Sequence, residues 1–76
     1  MITKQIKLQT PDEIKEFVDV TGKCDFDIDI YYNRIIVDGK SFLGIISLDL
    51  SKTLNVTYDG FNPDFEAILE KYASVI

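Results

Sequence analysis

The sequence predicts an α+β fold in which a four-stranded antiparallel sheet is covered on one face by three helices. Three observations carry that expectation. Four short segments alternate apolar with polar residues, which gives each strand one wet face and argues against a sheet buried on both sides. Three other segments open with a side chain suited to capping a helix, two of them followed at once by proline. The segments come in the order strand, helix, strand, strand, helix, strand, helix, without a repeat, linker or low-complexity stretch between them.

The first strand is read over residues 4–8, with Ile6 and Leu8 on one face and Lys4, Gln5 and Lys7 toward water or an edge. Thr10, Pro11 and Glu13 then supply a capping hydroxyl, a proline at the first helical position and an acid three residues after the cap. Ile14, Phe17, Val18 and Thr21 form one stripe of that helix, and Gly22 is expected to end it in a left-handed conformation. In residues 24–32, Phe26, Ile28, Ile30 and Tyr32 share a face opposite Asp25, Asp27 and Asp29. Asn33 and Arg34 turn this strand into a second arm at residues 35–37, which Asp38 and Gly39 close.

A short helix is expected from about Phe42, apolar nearly all round, and a fourth strand over residues 53–58 ends at Asp59 and Gly60. Asn62, Pro63 and Asp64 start the last helix, whose stripe is Phe65, Ile68, Leu69, Tyr72 and Ile76.

Composition bounds the function. Seventy-six residues bury one core and are read as a single domain, 1–76. A hydrophobic fraction of 46% supplies that core. A net charge of −5 has the wrong sign for tracking a phosphate backbone, which sets DNA and RNA aside as partners. The absence of histidine removes imidazole acid/base chemistry, phosphohistidine and histidine-ligated metal together. The lone Cys24 allows no internal disulfide and no CxxC motif. With no long apolar run and no signal-peptide core at its start, the chain is expected to be soluble and cytoplasmic, with no membrane partner.

Two local patterns have plain explanations. Asp25, Asp27 and Asp29 imitate the opening of a calcium loop, but Ile30 stands where that loop needs glycine and Ile36 where it needs glutamate. They are read as a solvated face, with no metal. Cys24 is read as a small apolar residue, since no imidazole base exists to activate it.

The segment VDGKSFLGIISLDL, preceded by a Tyr-Asn hairpin and followed by an alternating strand and a terminal helix, resembles the HPr family, the small phosphocarriers of the bacterial sugar phosphotransferase system. The likeness covers essentially the whole chain and is most specific from Lys40 to Leu48. It implies an open-faced β-sandwich of order βαββαβα, in agreement with the order read from the residues. The family opens its first helix with a phosphoryl-accepting histidine, followed two residues later by a steadying arginine. Counting back without gaps from Ser41 puts Thr10 and Asp12 at those positions. A threonine ester is less labile than phosphohistidine, and an aspartate repels the phosphate that arginine would hold.

The resemblance therefore implies a non-enzymatic protein without carrier activity or cofactor. Ser41 matches the family's regulatory serine, phosphorylated by a dedicated kinase so that the protein binds a transcription factor. A phosphate there would meet the free amides of a helix start, and Lys40 stands next to it as a positive charge. The plainer role of Ser41 is to cap the short helix. Leu43 and Ile46 match residues that the family exposes for docking. Burial beneath the last helix is the other reading, and periodicity does not separate the two. Thr10, Leu43 and Ile46 are thus the partner-facing candidates, and the implied partners are an HPr-type kinase, a transcription regulator or a phosphotransferase component. A phosphotransfer component with a non-histidine acceptor, Thr10 or Ser41, is the alternative.

Overall fold

A computed structural model of the chain describes residues 1–74, so the expected stripe residue Ile76 lies outside the described residues. The elements are β1 (Ile2–Ile6), α1 (Pro11–Thr21), β2 (Ile28–Tyr32), β3 (Ile35–Asp38), α2 (Phe42–Ile46), β4 (Leu54–Tyr58) and α3 (Pro63–Lys71), in the expected order. The strands form one sheet, β1-β4-β2-β3, and every pairing is antiparallel. None of the described helices is long and apolar enough to cross a membrane.

Register explains which face is covered. Ile6 stands opposite Leu54, Ile28 opposite Tyr58 and Ile30 opposite Val56, and all six are buried beneath the helices. The alternate set, among them Asp29, Tyr31, Asn55 and Thr57, belongs to the uncovered face. Helix α1 contacts both α2 and α3, with α2 against β3 and α3 against β1. Phe17 of α1 and Phe65 of α3 are fully buried and meet edge to face at 6.1 Å, while Tyr58 reaches Phe65 at 4.8 Å. Burying each such ring contributes about 1.5–3 kcal/mol, so this aromatic knot is the centre of the core.

The helix starts follow the cap chemistry of the sequence. The side chains of Thr10, Ser41 and Asn62 each accept a hydrogen bond from the backbone N–H three residues on, at Glu13, Gly44 and Phe65. The end of α1 differs from expectation. Gly22 is right-handed, with φ −64°, and the chain leaves the helix by tightening: Lys23 and Cys24 donate to the carbonyls of Val20 and Thr21.

Two strands are displaced from their expected limits. β1 covers Ile2–Ile6 and not residues 4–8, because its ladder with β4 stops at Leu54. Beyond that point the Lys7 N–H donates to the Tyr72 carbonyl, while Leu8 turns into the core outside any strand. β2 begins at Ile28, where β4 ends at Tyr58 and Gly39 donates to the Ile28 carbonyl, so residues 24–27 have no strand to pair with. Only Asp29 of the three aspartates lies on the strand; Asp25 and Asp27 are exposed in the bend before it. Phe26 folds back to stack on Tyr58 at 5.9 Å.

Candidate functional site

The surface built by α2 and its flanks holds three of the four residues singled out above, Ser41, Leu43 and Ile46. Thr21 Oγ1 donates to the Gly39 carbonyl at 2.8 Å, which ties the end of α1 to the turn that precedes α2. Phe42 then faces Lys15, Val18 and Asp19 across a shallow apolar cleft.

Ser41 caps this helix, its Oγ accepting from the Gly44 N–H at 3.1 Å, and is half-buried. Gly44 faces the sheet, so close to it that an added Cβ would stand 3.1 Å from the Val37 Cβ. That contact fixes the rotation of α2 and sends Ile45 into the core. Leu43 is left 78% exposed and Ile46 38% exposed, on the outer side of the same helix and not beneath α3.

The charges around Ser41 differ from what adjacency in the sequence suggests. The Lys40 ammonium donates to the Cys24 carbonyl at 3.0 Å and is committed there. The Asp38 carboxylate lies in the same turn, accepting from the Lys40 N–H at 2.9 Å. Cys24 itself is buried, and that burial pushes its thiol above the ordinary range, so it is no thiolate nucleophile at neutral pH.

Thr10 stands apart from Ser41, at the other end of the roughly 16 Å length of α1. Its Oγ1 accepts from the Glu13 N–H at 3.2 Å, and the Glu13 carboxylate reaches back to the Gln9 N–H at 2.7 Å. With Asp12 exposed beside them, the start of α1 is already occupied by the chain's own carboxylates. A phosphate placed there would meet like charge.

Other features lie outside the residues singled out from the sequence, and the first of them had no local signal there. Glu16 accepts from Lys71 at 2.8 Å and from the Tyr72 hydroxyl, clasping α1 to the end of α3. The bond from Lys71 holds its carboxyl below the usual range. Ile35 and Ile36, 53% and 69% exposed, lie on opposite faces of β3. For these two a signal existed, because of two adjacent apolar residues in a strand one must face the open side.

No protein-family model matches the sequence, and no curated protein matches it. Solved structures do. The phosphocarrier protein HPr of Bacillus anthracis str. Ames superposes with a TM-score of 0.65 at 25% identity, covering 95% of this chain and 92% of that one. HPr-C-His of Thermoanaerobacter tengcongensis gives a TM-score of 0.70 at 24% identity, over 92% of this chain and 85% of that one. Element order, sheet order and these superpositions agree along nearly the whole chain, which is HPr-like in fold.

Proposed function

We propose that this chain is a docking relative of the HPr phosphocarriers, tied to the phosphotransferase system by partner contacts and not by carrying a phosphoryl group. The observation that carries the reading is the placement of Leu43 and Ile46, both exposed, on the helix capped by Ser41. Exposed apolar residues at a helix surface act as anchors when a partner desolvates them. Ser41 at the rim of the same patch gives a modification a direct route to binding, because a dianion there pairs with a basic partner or repels an acidic one. The sequence adds the negative half: it contains no histidine, so phosphohistidine cannot form on it.

The test has two arms. Incubation with phosphoenolpyruvate and the phosphotransferase donor enzyme should leave the chain unlabelled; label on Thr10 or Ser41 would establish the phosphotransfer alternative. Incubation with an HPr-type kinase should modify Ser41. If that kinase modifies an authentic HPr and not this chain, the regulatory role of Ser41 falls, and the docking role then rests on loss of partner capture in Leu43→Glu.

A further inference from the structure

The two edges of the sheet are treated differently by the fold. The outer edge of β1 is covered at its C-terminal end, where Ser74 donates to the Gln5 carbonyl at 3.0 Å and Lys7 donates to the Tyr72 carbonyl at 2.9 Å. β3 is the opposite edge, and its sequence, IIVD, has neither the proline nor the lysine that commonly guards such a strand. Gly39 donates to the Ile28 carbonyl at 2.7 Å, which fixes the alternation: Val37 and Ile35 turn their backbone groups toward β2, and Ile36 turns its N–H and C=O outward.

We propose that a second copy of this chain adds to β3, the two strands pairing antiparallel about Ile36 to make one continuous sheet through both copies. The outward groups allow only registers that shift by two residues, and one of these satisfies the side chains. Centred on Ile36, it sets Ile36 against Ile36, Ile35 against Val37, and Arg34 against Asp38 twice. Among the described residues Arg34 makes no ion pair in the single chain. A shift by two in either direction places Arg34 or Asp38 across from Ile36 and loses both charge pairs. The exposed Ile36 would be joined on the open face by Tyr31, its neighbour in register, and Ile35 would be covered on the helical face.

The helices permit this pairing. Each α2 sits over its own Val37 through Gly44. In the proposed register the two Val37 residues are two residues apart along the strands and one strand spacing across, or about 8 Å, within the ordinary separation of packed helices. The inference is independent of any role for Ser41.

Sedimentation of the wild-type chain from about 10 µM to 1 mM should show a monomer–dimer equilibrium. Ile36→Lys and Arg34→Asp should each weaken it at least tenfold while leaving the thermal midpoint close to wild type. Adding Asp38→Arg to Arg34→Asp should restore it. Because Asp38 also accepts from the Lys40 N–H, isotope-filtered NMR on a mixture of labelled and unlabelled wild-type chains gives a check without substitution: contacts between Ile36 of the two copies are expected. A monomer at 1 mM would overturn the proposal, as would a dimer indifferent to Ile36→Lys but dissolved by Leu43→Glu.

Discussion

Phosphorylating Ser41 should alter binding far more than stability. The Ser41 oxygen already accepts from the Gly44 N–H at 3.1 Å. A phosphate keeps an acceptor at that place and adds charge beside the free amides of α2, a gain of about 0.3–1 kcal/mol for a helix start. Against it stands Asp38, whose carboxylate lies in the same turn. In water, a phosphate of about two charges is repelled by a carboxylate of the same turn by about 1 kcal/mol. Lys40 does not relieve this, since its ammonium is held at the Cys24 carbonyl. The two effects are of similar size and opposite sign, so the net change is within about 1 kcal/mol. For a domain of this length, 1 kcal/mol moves the melting midpoint by about 4–8 °C. Calorimetry on unmodified, enzymatically phosphorylated and Ser41→Ala protein provides the scale, because the alanine loses the cap outright and should cost about 1 kcal/mol. Partner capture should follow the reverse order, changed by phosphate and little changed by alanine. A phosphoprotein whose midpoint moves further than that of Ser41→Ala, with capture unaltered, would refute the reasoning.

Tyr58→Phe should destabilise by about 1 kcal/mol in urea denaturation, since the buried hydroxyl donates to Glu66 at 2.7 Å and Glu66 retains access to water. In a spectrophotometric titration Tyr58 should ionise far above an ordinary phenol, chiefly because it is buried and secondly because Glu66 accepts its proton. Glu16 is held below its usual value of 4.5, first by the hydrogen bond from Lys71 and then by that from Tyr72. Its stabilising contribution is therefore complete above pH 4.5 and is lost as pH falls through the depressed folded value. Acid unfolding monitored by circular dichroism should accordingly show a shallower loss of stability on the acid side for Glu16→Gln.

What the sequence makes legible is what is decided locally. Thr10, Ser41 and Asn62 each satisfy an amide three residues away, so their roles are written within a single turn of chain. Strand limits are set by partners. β1 stops at Ile6 because Tyr72 captures Lys7, and β2 starts at Ile28 because β4 and Gly39 offer nothing earlier. Neither cause lies near the residues it governs. The α2 surface shows the same division. Periodicity leaves Leu43 and Ile46 undecided, and the contact of Gly44 with Val37 on a neighbouring strand fixes which side of the helix faces out. By adjacency Lys40 is a counter-charge for Ser41, yet a carbonyl sixteen residues back holds it.

The position of β1 has a consequence for how the molecule comes into being. Among the described residues its strand partner is β4, and the C-terminal end of its other side is closed by residues 72–74. During synthesis Ile2–Ile6 is made well before either, and waits unpaired while the intervening chain emerges. Residues 11–46 can gather α1, the β2–β3 hairpin and α2 in the meantime, but the hydrophobic face they share is not closed until Leu54, Val56 and Phe65 arrive. Completion is therefore a late event, because β1 and β4 pair across nearly fifty intervening residues.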